Sequence, residues 1–290
     1  MISLSKKSHA KLNLSLGVGQ ISKENGLHPI NSTFQEISLY DELLITAIKK
    51  NQCPCKIKST GIPVPVDSKN ILTKIATQLE PDLTYSYIIE LKKNIPLGSG
   101  MGGASSNAAL FLKVINTIEK KHWDYETLTK IGKQFGSDIP FFLKGGLQEV
   151  SGFGDILKKI PYTSPRFFTL IYPNIECSTK EIYAHFDTMI KTDKETIESY
   201  SNNLLPIVLN YYPKMLSIYS QLKESAPYPV NLTGSGSTFF IETPTLIENT
   251  TLYQKLLTIY PDFYIKPVEA LYNEHPMAYS THDIKSTKTV

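Results

Sequence analysis

From residue 9 to residue 16 the chain alternates. His9, Lys11, Asn13 and Ser15 fall on one side, and Ala10, Leu12, Leu14 and Leu16 on the other. A period of two marks a strand with one apolar and one polar face. Further strands are expected at 34–43, 55–59 and 85–91. Apolar residues recurring at three- and four-residue intervals predict helices over 70–79 and 104–118, and a third over 125–135 stopped by Gly136. Beyond Gly146 the pattern resets. The stretch "QEVSGFGDILKKIPYTSPR" holds three turn-forming segments and two prolines, which puts a domain boundary near Ile160 and divides the chain into 1–160 and 161–290. The second part reads strand 167–172, helix 179–186, helices from about 195 to 224, strand 239–241, helix 246–257 and strand 263–267. That succession is α+β. After Tyr272 the chain is polar and patternless, and is expected to fray.

One segment breaks the ordinary spread of glycine. "PLGSGMGGASSNAAL" (96–110) places four glycines between Gly98 and Gly103, then Ser105 and Ser106, then an alanine-rich apolar run. A P-loop would require a lysine after the glycines, and none follows. Gly98, Gly100 and Gly103 satisfy G-x-G-x-x-G, but Pro96 interrupts the approach and "EKKHWDYET" after the helix is no strand, against a dinucleotide fold. The H-R-D and D-F-G of protein kinases are missing from the sequence. What remains is a physical design. Glycines let successive N–H groups converge on anionic oxygens, and a helix start adds its unpaired N–H groups and dipole. Ser105 and Ser106 could cap the helix, bind phosphate oxygens or contact a nucleotide-bound Mg²⁺. A flexible turn with a capping serine is the plainer alternative.

Bulk composition narrows the class. The 290 residues are 41% hydrophobic and 20% charged, with a net charge of +3. These values fit a globular protein, and the lack of any basic run gives no nucleic-acid footprint. The N-terminal residues hold no apolar core of signal-peptide length and the apolar runs are too short to span a bilayer, so a cytoplasmic protein with no membrane partner is expected. Three cysteines make no disulfide framework. Cys53 and Cys55 in "QCPC" could be a metal pair, but reduced thiols are the simpler reading. The six histidines show no His-x-x-x-His spacing, and no protein-only metal site is expected.

"AKLNL" (10–14), "PLGSGMGGASSNAA" (96–109) and "LTGSGSTFF" (232–240) stand in the order in which the GHMP kinases carry their three motifs, and the chain resembles that family over nearly its whole length. The resemblance implies a two-domain α+β fold: an N-terminal ribosomal S5-like domain holding ATP and a C-terminal ferredoxin-like domain, with a small-molecule substrate between them. It implies that Pro96, Leu97, Gly98, Ser99, Gly100, Met101, Gly102, Gly103, Ala104, Ser105 and Ser106 bind ATP and its Mg²⁺. It further implies that Asp138 in "FGSDIPFF" is the base for the acceptor hydroxyl, with Lys11 beside it as a cation and Asn13 orienting the substrate. "SHAKLNLSL", "GLHPINSTFQEISLYDEL", "GSDIPFF" and "GFGDIL" resemble the branch whose acceptor is a cytidine diphosphate-linked methylerythritol. There His28 would hydrogen-bond the base, Tyr183 would stack on it, Thr179 would lie near the polyol, and Gly234, Ser235 and Gly236 would close over phosphates. A stacking tyrosine expected at residue 27 is Leu27 here. Without the resemblance, Asp138 reads as a turn aspartate, Lys11 as a strand lysine, Tyr183 as a core aromatic and residues 234–236 as a hairpin turn. Alternatives are another acceptor, mevalonate- or homoserine-like, a non-catalytic sensor on the same fold, or an oxidoreductase read from the glycine spacing.

Overall fold

The structure is a computed structural model that describes residues 1–272, 275–280 and 285–286. Among these, seven strands form one mixed sheet and four form a second, antiparallel one. The first sheet is built on two unusually long strands, β1 (Ile2–Val18) and β2 (Ile30–Lys49), paired antiparallel along their whole length. A parallel β–α–β unit follows: β3 (Cys55–Gly61), α1 (Ile71–Leu79) and β4 (Tyr85–Lys93). Next come α2 (Gly103–Ile118), α3 (Tyr125–Gly132), α4 (Ile139–Lys144), β5 (Leu147–Gly152) and β6 (Ile156–Lys159). One edge of β2 serves two partners, since residues 42–49 pair with β4 and residues 30–35 with β5.

The second sheet uses β7 (Phe167–Tyr172), β8 (Val230–Leu232), β9 (Phe239–Thr243) and β10 (Tyr264–Glu269), in the spatial order β10-β7-β9-β8. Four helices, α5 (Thr179–Met189), α6 (Lys194–Glu198), α7 (Leu205–Tyr211) and α8 (Pro213–Ser225), connect β7 to β8, and α9 (Leu246–Ile259) connects β9 to β10. Alternation sends the two faces of this sheet to different cores. Ile171, Phe239, Ile241 and Ile265 pack on the helices with Ile182, Phe186 and Leu256. Phe168, Leu170, Phe240 and Val268 pack against Ala10, Leu12, Ile37, Ile95 and Met101 of the first half. The apolar side of the 9–16 alternation is therefore spent joining the two sheets. Its polar side is turned the other way.

A register shift between His9 and Ala10 leaves Ser38 and Leu39 of β2 without β1 partners. A bulge of this kind bends the strand and frees backbone groups. The end of β10 uses them: Ile37 bridges Ala270, and the Leu271 N–H donates to Glu36 O at 2.8 Å.

Several expectations are corrected. Part of the stretch read as holding three turn-forming segments forms the β5–β6 hairpin, because Val150 and Leu157 pack on the first core while Gly152 and Gly154 sit at the bend. The 125–135 helix ends at Gly132, and the residues up to Gly136 form further turns. The helices expected from about 195 to 224 are three, α6, α7 and α8, with Pro206 and Pro213 each in a helix's first turn. The tail, expected to fray, is anchored where it is described. His275 donates its backbone N–H to Lys144 O at 2.8 Å and its Nε2 lies 2.7 Å from Glu36 Oε1. Met277 and Tyr279 pack on the first core, and β11 (Lys285–Ser286) pairs with Ile2 and Ser3. Two apolar residues and one imidazole suffice to dock a segment whose composition looks solvated.

Helix α2 runs through the middle of the first half, and nearly all its side chains are buried, Lys113 included. The Lys113 ammonium donates to Phe142 O at 3.2 Å, and burial pushes its pKa down to about 7 against the pull of Glu36. In the unfolded chain a lysine titrates near ~10.4. Between these values the unfolded state holds a proton that the folded state lacks, so this residue makes stability rise as pH rises from about 7 toward 10. In Lys113→Met the urea midpoint should be higher at about pH 7, and its rise toward about pH 9 shallower than in the wild type. Equal slopes in the two proteins would contradict this origin.

Candidate active site

The polar side of β1 opens into a cavity between the two halves, about 790 Å³ in volume. Lys11 and Asn13 form its floor. The Lys11 Nζ donates to Asn13 Oδ1 at 2.5 Å, lies 3.5 Å from Asp138 Oδ2 and stands 4.7 Å above the Phe34 ring. Its side chain is only 4% exposed, whereas that of Asp138 is 26% exposed. Burial lowers the Lys11 pKa from the ordinary lysine value, and the Asp138 carboxylate opposes the shift. A cation held this way needs its counter-charge nearby. Asp138 is delivered at the mouth of α4 by the turn after Gly136, with Pro140 inside the first helical turn. Its side chain caps nothing in α4 and faces the cavity.

The roof is the glycine segment. Helices α1, α3, α5 and α9 each begin with a side chain that accepts a first-turn N–H, but α2 begins at Gly102 with no side-chain cap. Its unpaired N–H groups and positive dipole end suit an anion. Gly100 and Gly102 have φ of 74° and 72°, the left-handed region. At Gly100 the reason is also steric, since a Cβ would stand 2.4 Å from Thr233 O and 2.9 Å from Gly236 O. The Thr233 hydroxyl donates to Gly100 O at 3.3 Å, and the Lys11 backbone N–H donates to Met101 O at 3.0 Å. The approach to the segment is pinned by buried Asp41, which accepts from Lys93 Nζ at 2.6 Å and from the N–H groups of Asn94 and Ile95 at 2.8 and 2.9 Å.

The sequence-selected residues divide accordingly. Gly100, Gly102 and Ser105 line the cavity. Ser99 donates its hydroxyl to Pro96 O, Ser106 shares its hydroxyl with Ser8 at 2.6 Å, and the Met101 side chain is buried in the core between the sheets. Pro96, Leu97, Gly98, Gly103 and Ala104 stand outside the cavity lining: Leu97 is surface-exposed, its carbonyl accepting from the Tyr172 hydroxyl at 3.2 Å, and Gly103 packs on Ile95.

At the far end, Thr179, Tyr183 and Asp187 project from one face of α5, being four residues apart. Thr179 Oγ1 lies 2.7 Å from Ser235 Oγ, and Gly234 and Ser235 line the same wall while Gly236 closes their turn through its N–H to Thr233 O at 3.0 Å. His28 packs on Tyr183, with ring centroids 5.0 Å apart, and its Nδ1 lies 2.9 Å from Gly19 O. Burial, and then the charge of Asp138, push the Tyr183 phenol up to about 12, so it stays neutral. Leu27 is exposed at the rim. Sequence reading missed Asp187, Thr233 and Phe34. The four-residue step from Tyr183 could have found Asp187. Thr233 lies inside the 232–240 stretch, directly before Gly234, whereas nothing local marks Phe34, whose ring sits under the Lys11 ammonium of β1.

The fold is that of the GHMP kinases, and residues 70–146 match the model of the GHMP kinases N terminal domain. The chain is 34% identical over 250 residues to the 4-diphosphocytidyl-2-C-methyl-D-erythritol kinase of Persephonella marina, covering 81% of this chain and 89% of that one. It is 33% identical to the enzyme of the same name from Aliivibrio fischeri, covering 81% and 82%. It belongs to the 4-diphosphocytidyl-2-C-methyl-D-erythritol kinase family. Among solved structures, a 4-(cytidine 5'-diphospho)-2C-methyl-D-erythritol kinase superposes with a TM-score of 0.73 at 22% identity, over 91% of this chain and 99% of that one. L. major mevalonate kinase in complex with R-mevalonate shares the fold at TM-score 0.68 and 13% identity, over 92% and 95%.

The tight seat of Gly100 generates a direct expectation. Gly100→Ala should weaken nucleotide binding by more than about tenfold, because a left-handed alanine costs on the order of 1–3 kcal/mol and the methyl group must also push the 233–236 turn away. Calorimetric titration with an ATP analogue, alongside circular dichroism to verify folding, measures it.

Proposed function

We propose that the protein transfers the γ-phosphoryl group of ATP to the 2-hydroxyl of 4-diphosphocytidyl-2-C-methyl-D-erythritol, a step of non-mevalonate isoprenoid precursor synthesis. The observation that carries this reading is the cavity itself. An ion-paired Lys11–Asp138 couple lies under the glycine roof, and an imidazole and a phenol ring stand at the other end. The two halves would correspond to the ribosomal S5-like and ferredoxin-like domains of the family, and the antiparallel order β10-β7-β9-β8 with its two helical crossovers supports the second assignment.

Phosphoryl transfer to an alcohol depends on positioning and on charge stabilisation. In this reading the uncapped start of α2 and the 98–106 backbone hold the triphosphate, and Ser105 would be the residue to hold its Mg²⁺, which would screen phosphate charge when bound. The donor set fits an anion, since Gly100 and Gly102 leave backbone rather than side chain facing the cavity. Asp138 accepts the proton of the acceptor hydroxyl as its oxygen bonds to the γ-phosphorus and the bond to the β–γ bridging oxygen breaks, releasing ADP. Lys11 compensates the charge carried by Asp138 and by the phosphoryl oxygens. Asn13, tied to Lys11, to Ser32 and to Thr233, holds that ammonium in place. His28, Tyr183 and Leu27 form the slot for the base, and Thr179 and the 234–236 turn face the diphosphate and polyol.

The acceptor is tested by following ADP release with the cytidine diphosphate-linked substrate, mevalonate and homoserine in parallel. Turnover with the first is expected, and turnover with mevalonate alone would overturn the reading. Asp138→Asn should lose about 10²–10⁴-fold in kcat while keeping its affinity for ATP. A kcat within tenfold of the wild type would remove Asp138 from the role of base. Leu27→Tyr supplies a second ring to the base slot, and KM for the cytidine substrate should fall several-fold with kcat little changed.

A further inference from the structure

His28 and Asp187 meet at the base end of the cavity with their hydrogen-bonding atoms mismatched. Gly19 O can only accept, so whenever the imidazole is neutral its proton sits on the ring nitrogen 2.9 Å away, Nδ1. The other nitrogen, Nε2, is then an acceptor, and it faces Asp187 Oδ2 at 3.5 Å. Two acceptors converge on one spot, and no donor from another described residue lies between them. The His28 side chain is 8% exposed, so water relieves little of this on the ring's side. Asp187 extends from the last turn of α5 on the face that also carries Tyr183, whose ring packs against His28.

We propose that Asp187 is a specificity-determining residue which, together with His28 Nε2, selects a pyrimidine bearing an exocyclic amino group. One nitrogen with two hydrogens satisfies both acceptors at once. A keto oxygen in its place adds a third acceptor to the two already facing each other. The chemical class selected is a 4-amino pyrimidine over its 4-oxo counterpart, that is, cytosine over uracil. The inference rests on the proposed function and deepens it, because it assigns discrimination between bases to a carboxylate outside the three sequence motifs.

The test compares cytidine- and uridine-diphosphate-linked methylerythritol as acceptors for the wild type, Asp187→Asn and Asp187→Ala, at about pH 8.5, above the ordinary imidazole range. Calorimetric titration with CDP and UDP runs beside it. The wild type should prefer the cytidine substrate by about 100-fold in kcat/KM, since a site built for a donor leaves its acceptors unpaired against an oxo group. Asp187→Asn can turn its own amide toward an oxygen, and should cut that preference at least about tenfold, mainly through KM, with the CDP/UDP affinity ratio falling in step. Asp187→Ala should also lower the preference, by losing affinity for the cytidine ligand. The readout is a ratio within one preparation, so a reduced folded fraction cancels. An unchanged preference in both variants, or a wild type indifferent to the base, overturns the role of Asp187 and leaves the kinase reading standing. A wild type that binds neither CDP nor UDP but phosphorylates another alcohol overturns the proposed function, and this inference with it.

Discussion

The close approach of two glycine turns from different sheets governs the rest of the site. Gly100 sits so near the carbonyls of Thr233 and Gly236 that no side chain fits between them, and the Thr233 hydroxyl ties the contact, its one proton shared between Gly100 O and Asn13 Oδ1 at 3.3 Å each. Through Asn13 the same knot reaches the Lys11 ammonium, and through the Lys11 N–H it returns to Met101 in the glycine segment. Roof, floor and the second sheet are thereby one hydrogen-bonded unit. Groups held in this way need little reorganisation when charge moves, which is what transfer of a phosphoryl group demands.

That unit is supported by a core with an unusual division of labour. The second sheet buries both faces, one under its helices and one on β1, while β1 turns its apolar residues to that sheet and its polar residues to the cavity. The cavity is therefore a consequence of strand periodicity at the seam between two cores. A one-residue slip of β1 would exchange Lys11 with Ala10 or Leu12, removing the ammonium and burying it in the seam at once. The bulge at His9/Ala10, stitched to β10 and next to the Glu36–His275 pair, blocks such a slip by fixing the pairing there.

Much of this was legible in the chain. The 9–16 alternation placed Lys11 and Asn13 on a common face, and the glycine count marked the start of α2, which has no side-chain cap. Strand 167–172 was read at its observed limits, because its short apolar run is flanked by Pro165 and Pro173. Less regular segments were misread for identifiable reasons. The β5–β6 hairpin is rich in glycine because its bend requires it, and a short hairpin on a sheet edge has too few apolar residues to outweigh that signal. The tail after Tyr272 looks solvated because three scattered residues, His275, Met277 and Tyr279, make its contacts.

By itself the sequence determined the local chemistry of this protein: which strand carries the lysine, which helix opens uncapped, and the glycine-bearing turns that can come close to other backbone. Those properties follow from side-chain period and from backbone freedom, and both are written in neighbouring residues. Only the tertiary structure decided that Asp138 stands beside Lys11, that Thr233 joins Gly100 to Asn13, and that Asp187 confronts His28. Each of these pairs is brought together by packing of separate elements, and the electrostatics that matter, a buried ammonium with its counter-charge and two acceptors converging on one point, exist only at distances of a few ångströms across that packing.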